Sequence, residues 1–230
     1  MSIELKICGL TTISDMRAAE RIGADYVGMV VEVPYSRRPI SRWAAQFMCQ
    51  AARVRPVLVL AQQPPDQLVE IARLCKPFAL QVHGDESTEQ ISELVEQLAG
   101  DTEIWRGLAV APSSEQQPRS VEHSLTLIAE LAEAGVARIV LDTRVKGEMG
   151  GTGVTCDWPT AAAIIKDSAL PVMLAGGLGP DNVVEAIKAT GATGVDMATG
   201  VERTVGRKDP TKLRALAAAL SELSVDQPNT

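Results

Sequence analysis

The residues best suited to chemistry sit in short polar or glycine-rich stretches, each following a run of Val, Ile and Leu. Cys8-Gly9 follows the run Ile3–Ile7. A thiol there has two readings: a small buried side chain, the commonest fate of a free cysteine, or a reactive group that a ligand approaches over the neighbouring glycine. Asp142 ends the run ARIVLDT. A carboxylate in that position is costly unless it is solvated, paired or functional. Partly buried near a phosphate, it would hold a proton toward neutral pH and serve as an acid. His83, in QVHGDE, suits a base, a substrate contact or a residue that orders the rim. A metal role would need further ligands in a recognisable set, and the sequence shows none. Arg37 and Arg38, in VPYSRRPIS, offer guanidinium forks to a carboxylate or phosphate, or else are solvated surface arginines. Cys49 and Cys75 fall in helical stretches and read as buried thiols, and His123 as exposed.

Glycines add a second kind of chemistry. Gly150-Gly151-Thr152-Gly153, Ala175-Gly176-Gly177 and Ala198-Thr199-Gly200 (with Gly206 beyond) each follow an apolar run. Glycine lets backbone N–H groups turn toward one point, where an anion fits. Three such clusters on consecutive units predict a phosphate cup built from Gly151, Thr152, Gly153, Gly176, Gly177, Thr199 and Gly200. GGTG lacks the following Lys-Ser/Thr of a P-loop, which disfavours a nucleoside triphosphatase. No G-x-G-x-x-G follows the first apolar run, which disfavours a dinucleotide site.

These groups need elements to hold them, and one pattern repeats along the chain. An apolar run is followed by a loop and then by an amphipathic helical stretch, for about eight units with no linker between them. The expected strands are 3–7, 26–31, 56–61, 78–82, 103–110, 137–141, 172–174 and 194–198. The expected helices are 14–22, 41–54, 65–74, 87–98, 121–134, 159–165, 180–190 and 210–220. Pro65 suits a first helical turn, and Ser87 with Gln90 resembles a capping box. Alternating strands and helices imply a parallel sheet. Eight units in 230 residues favour a single α/β domain, a (β/α)8 barrel over 1–222, with a frayed tail over 223–230. The rival is an open doubly wound sheet. In a barrel the groups above all fall at the C-terminal ends of strands, where active sites of this fold lie.

Composition narrows the partners. The formal net charge is −7 with scattered basic residues, so there is no electrostatic footprint for nucleic acid. Glu4 and Lys6 interrupt what would be the apolar part of a signal peptide, and no apolar run is long enough to span a membrane. The four cysteines form no C-x-x-C pair and read as reduced thiols of a cytoplasmic protein.

Taken in order, Lys6-Ile7-Cys8-Gly9-Leu10, Gln81-Val82-His83-Gly84-Asp85-Glu86, Leu141-Asp142, GGTG at 150–153, Asp157-Trp158, Leu174-Ala175-Gly176-Gly177-Leu178, Asn182-Val183, and Gly200-Val201-Glu202 with Gly206, Lys208 and Asp209 resemble the phosphoribosylanthranilate isomerase family. The motifs come in the family's order and span nearly the whole chain. The resemblance implies a barrel of the tryptophan pathway that performs an Amadori rearrangement of N-(5-phosphoribosyl)anthranilate. It implies Cys8 as general base, Asp142 as general acid, and Arg38, Gln81 and His83 as substrate contacts. The substrate's own nitrogen supplies the electron sink, so no cofactor or metal is expected. The expected partner is one small phosphorylated molecule, bound by a monomer or homodimer. A free thiol has a pKa near ~8.5, so a minority of Cys8 would be ionised at neutral pH. The sequence departs from the family's pattern in YSRRP, where Ser-Pro-Arg is common, in Thr199 for a frequent serine, and in strand three, VLVLAQQP, which lacks the usual phenylalanine and asparagine. The rival functions are a divergent relative isomerising another sugar phosphate and a catalytically silent phosphate-binding homologue. A binder needs neither Cys8 nor Asp142 at those strand ends.

Overall fold

The computed structural model describes residues 3–98, 100–110, 120–143 and 157–225. The strands are β1 (Glu4–Ile7), β2 (Tyr26–Val31), β3 (Pro39–Ile40), β4 (Arg55–Leu60), β5 (Ala79–Val82), β6 (Glu103–Val110), β7 (Arg138–Thr143), β8 (Val172–Leu174), β9 (Gly194–Met197), β10 (Glu202–Thr204) and β11 (Arg207–Lys208). The helices are α1 (Ile13–Arg21), α2 (Arg42–Ala51), α3 (Pro65–Cys75), α4 (Thr88–Leu98), α5 (Val121–Glu133), α6 (Trp158–Asp167), α7 (Val183–Thr190) and α8 (Pro210–Val225). The sheet runs β1-β9-β8-β7-β6-β5-β4-β2, and β1 also pairs with β2, so eight parallel strands close on themselves. The short β3 adds to the outside of β2. The expected barrel is therefore what the chain forms.

The two-residue period of each strand divides its side chains between two cores. Leu5 and Ile7, Val27 and Met29, Leu58 and Leu60, and Ile139 and Leu141 face outward and are buried under the helices. The helices meet them with apolar stripes at helical spacing, such as Met16 and Ala19 on α1. The alternate set faces the barrel axis. At its N-terminal end Tyr26, Val57, Ala79, Trp105, Val140 and Met173 form a second core. Trp105 packs edge-on against Tyr26 with centroids 4.9 Å apart, and Phe78 packs against both. Arg138 stacks over Tyr26 and Trp105 and pairs with Glu4. Tyr26 donates from its hydroxyl to Glu4 Oε1 at 2.7 Å. Aromatic bulk and paired charge thus fill this end of the barrel.

Local signals set the helix starts. Thr12, Ser41 and Ser120 each accept from the backbone N–H three residues on. Ser87 and Gln90 exchange the two bonds of a capping box, at 2.9 and 3.3 Å. Pro65 opens α3. Three local differences from the sequence reading have clear causes. Helix α7 begins at Val183 rather than Pro180, because the Asn182 side chain accepts from Gly179 N and donates to Gly177 O, holding 177–182 as a turn. A 3-10 turn (Thr199–Val201) and the β10–β11 hairpin occupy a stretch read only as loop, since strands of two or three residues carry no periodic signal. Helix α8 runs through Val225, into the stretch expected to fray.

Candidate active site

A cavity of about 680 Å³ opens at the C-terminal ends of the strands, within the size range of small-molecule sites. Cys8 and Asp142 both line it. So do Gln81 and His83 from β5 and the turn after it, and Arg37 and Arg38 from the loop after β2. Gly176 and Gly177 reach it from the loop after β8, and Thr199 and Gly200 from the loop after β9. Gly151, Thr152 and Gly153 lie outside the described residues. His123 lies elsewhere, exposed on α5, and Cys49 and Cys75 are buried in α2 and α3.

Cys8 is seated by its neighbours on both sides. Its amide donates to Met197 O at 2.8 Å, and Gly28 on β2 leaves its side chain room. A Cβ at Gly28 would stand 2.8 Å from Cys8 Sγ, so any larger residue there displaces the thiol. Burial pushes the Cys8 thiol above its ordinary value, and Asp196 pushes it the same way. Lys6 and Lys208 pull against this without reversing it. The partial ionisation expected from the free thiol value is therefore reduced by burial.

Lys6 precedes Cys8 by two residues on the same face of β1 and is fully buried. Its ammonium lies 2.6 Å from Asp196 Oδ2, its register partner on β9. Burial alone would drive the ammonium to give up its proton, but Asp196 and Cys8 outweigh it and hold Lys6 charged. Sequence reasoning assigned no role to this pair. The available signal was a charge in the middle of an apolar strand, in ELKI and in GVDM.

Arg38 is buried, and its fork is already engaged. Nε and Nη2 donate to the two Glu202 oxygens at 2.6 and 2.7 Å, and Nη2 also reaches Thr199 Oγ1 at 3.2 Å. Glu202 receives Lys208 as well, at 3.2 Å, and Lys208 donates to Ala198 O at 2.9 Å. Burial would raise the Glu202 carboxyl, yet the bonds from Arg38 and the charge of Lys208 bring it below its ordinary value. This cluster ties the loop after β2 to the loop after β9. Gly9, at φ 70°, passes close over the Arg38 side chain, where a Cβ would come within 2.6 Å of Cδ. Arg37 is exposed on the same rim and pairs with no described residue.

On β5, Gln81 and His83 share a face and bond to each other through Gln81 Nε2 and His83 Nε2. Gly107 on β6 makes space for the imidazole, since a Cβ there would fall 2.3 Å from the ring. Between these polar groups the wall is aliphatic, with Val30, Val33 and Val59, and Tyr35 stands at the mouth. Among the described residues no cluster of His, Cys, Asp or Glu has the makings of a metal site.

Three comparisons bear on this arrangement. The model of a family described as N-(5'phosphoribosyl)anthranilate (PRA) isomerase matches residues 5–219. The N-(5'-phosphoribosyl)anthranilate isomerase of Bradyrhizobium sp. (strain ORS 278) is 36% identical over 233 residues, covering 98% of this chain and 100% of that protein. Among solved structures, the phosphoribosyl anthranilate isomerase of Thermotoga maritima superposes with a TM-score of 0.80 at 27% identity, over 96% of this chain and 99% of that one. A further isomerase structure, in complex with reduced 1-(o-carboxyphenylamino)-1-deoxyribulose 5-phosphate, shares the fold with a TM-score of 0.74 at 24% identity, over 96% of this chain and 99% of that one.

Proposed function

The chain belongs to the N-(5'-phosphoribosyl)anthranilate isomerase family, and from that premise we propose which of its residues carry the reaction. The protein is an isomerase of tryptophan biosynthesis that converts N-(5'-phosphoribosyl)anthranilate to 1-(2-carboxyphenylamino)-1-deoxyribulose 5-phosphate. Asp142 acts as the general acid. It protonates the furanose ring oxygen as the anilino lone pair forms the C1′=N bond and the C1′–O bond breaks. Cys8, as thiolate, takes the proton from C2′, and the C–H electrons move into the iminium to give an enolamine. Loss of the 2′-hydroxyl proton and protonation at C1′ then give the ketone.

The observation that carries this reading is that Cys8 and Asp142, from strands β1 and β7, open on one cavity with the glycine loops beside them. Gly176, Gly177, Thr199 and Gly200 take the phosphate at one end, and 151–153 are assigned to the same cup. At the other end the aromatic ring lies against Val30, Val33 and Val59 with Tyr35 over it. Arg38 borders the cup, since its Nη2 reaches Thr199, and its Nη1, which Glu202 leaves open, meets the carboxylate together with Arg37. Gln81 and His83 contact the substrate between the two ends. Holding both ends orients the proton transfers. Lys6 offsets the negative charge that Cys8 acquires, so a buried thiol can serve as base. The chain works on this one small phosphorylated molecule as a monomer or homodimer, in the cytoplasm. The pathway and the unpaired thiols of Cys8, Cys49 and Cys75 support that setting.

The test follows anthranilate-type fluorescence with substrate generated in situ, using wild type, Cys8→Ala and Asp142→Asn. Wild type consumes the substrate, and each variant is slower by at least ~100-fold. Full activity in the Cys8 variant would remove Cys8 as the base. A folded wild type without turnover would overturn the whole reading.

A further inference from the structure

Asp196 has one oxygen engaged and one not. Oδ2 lies 2.6 Å from Lys6 Nζ, while Oδ1 is buried with no hydrogen-bond partner among the described residues. The residue is 7% exposed and lines the cavity. A buried polar atom without a partner is rare and calls for a reason. Gln81 Oε1, on the opposite side of the barrel, is also buried and unpartnered. An amide can turn either its oxygen or its NH2 to a ligand, so Gln81 does not say which group it awaits. A carboxylate paired with an ammonium only accepts, and this one is paired with Lys6 through Oδ2. The group that meets Oδ1 must therefore be a donor.

Position narrows the donor further. Asp196 is the register partner of Lys6, one inward-facing layer below Cys8, and stands three residues before Thr199, which lies in the loop assigned to the phosphate. Once the ring is open, C3′ and C4′, between the phosphate and C2′, carry hydroxyls, and the anilino N–H lies on C1′. A group just below the proposed base, on the strand that runs into the phosphate loop, faces the sugar chain and its hydroxyls. We propose that Asp196 Oδ1 binds a hydroxyl of the substrate's sugar chain, with Lys6 holding the carboxylate by its other oxygen. This rests on the functional reading above and adds to it a subsite that selects for a polyol between the two anionic ends. Among sugar phosphates and anthranilate derivatives, it admits molecules that present a hydroxyl there and disfavours deoxy analogues.

The experiment measures binding by calorimetry to the full-length protein, wild type and Asp196→Asn. The probes are inorganic phosphate, reduced 1-(o-carboxyphenylamino)-1-deoxyribulose 5-phosphate, and the three analogues that each lack one of its hydroxyls at C2, C3 or C4. Wild type is expected to bind one deoxy analogue about 10- to 100-fold more weakly than the parent, the range for a hydrogen bond to a charged group. Asp196→Asn is expected to bind that analogue and the parent alike, while its affinity for inorganic phosphate stays at the wild-type value. The proposal fails if wild type binds all three deoxy analogues as well as the parent, an outcome that needs no variant to fold. It also fails if the penalty for the missing hydroxyl persists undiminished in Asp196→Asn. If wild type binds inorganic phosphate but not the parent compound, the functional reading itself falls, and the subsite with it.

Discussion

At the scale of single residues, the proposed base presents the central problem. That role needs a thiolate where burial favours the thiol, and a buried ammonium stands two residues earlier on the same strand face. Carboxamidomethylation of Cys8, followed peptide by peptide, should therefore quicken with pH without levelling off at the ordinary thiol value of 9.0. Lys6→Met should slow it at every pH up to that value. A rate that levels near pH 7 would mean that the lysines outweigh burial. Cys49 and Cys75, which burial pushes up to about 12 and about 11, serve as internal controls that stay slow. The places of Cys8, Asp142 and His83 on the cavity were legible because each ends an apolar run. The partnership of Lys6 with Asp196 was not, because it joins residues 190 apart through strand register, which appears only when the barrel closes. Arg38 was legible as a fork and misleading as a free one, since its partner Glu202 lies 164 residues away.

At the scale of elements, the hairpin of β10 and β11 clamps the catalytic face. Glu202 on β10 holds Arg38 from the far loop, Lys208 on β11 pairs with the same Glu202, and Gly206, at φ 73°, makes the turn between the two strands. Breaking a buried ion pair by removing one partner costs about 3–5 kcal/mol, so Glu202→Gln should lose about that much in urea unfolding at neutral pH. The Glu202 carboxyl titrates below its ordinary value of 4.5 in the folded protein. Its stabilising contribution is therefore complete above that value and is lost as pH falls through the lower, folded one. The gap between wild type and Glu202→Gln should narrow only in that acid range. An unchanged gap at pH 3 would mean that the carboxylate is not the source. Long helices and strands were readable from apolar periodicity and caps, as in α3 and α4. The hairpin was not, because its register depends on charge pairing rather than on a pattern of apolar residues.

At the scale of the whole molecule, the barrel separates its two ends by task. The N-terminal end is packed with Tyr26, Phe78 and Trp105 between arginines, and the C-terminal end is lined with titratable groups. Trp105→Ala should cost about 3–5 kcal/mol in stability, while kcat/KM per folded molecule stays within about threefold of wild type at temperatures where the variant is folded. A large loss of turnover in the folded variant would show the ends to be coupled. The count of eight units made closure legible from the sequence, because every apolar run found a helix to cover it and a neighbour to pair with. That so polar an interior sits inside was less legible: Glu4, Lys6 and Asp196 look like surface residues until alternation turns them toward the axis.

The packed end has a consequence for molecular traffic. Among the described residues, a barrel stoppered by an indole and two stacked arginines is a vessel open at its loop end, not a tunnel. Whatever enters between the loops leaves between them, phosphate and ring in tow, before the next molecule is admitted. Reactant and product therefore contend for the same entrance.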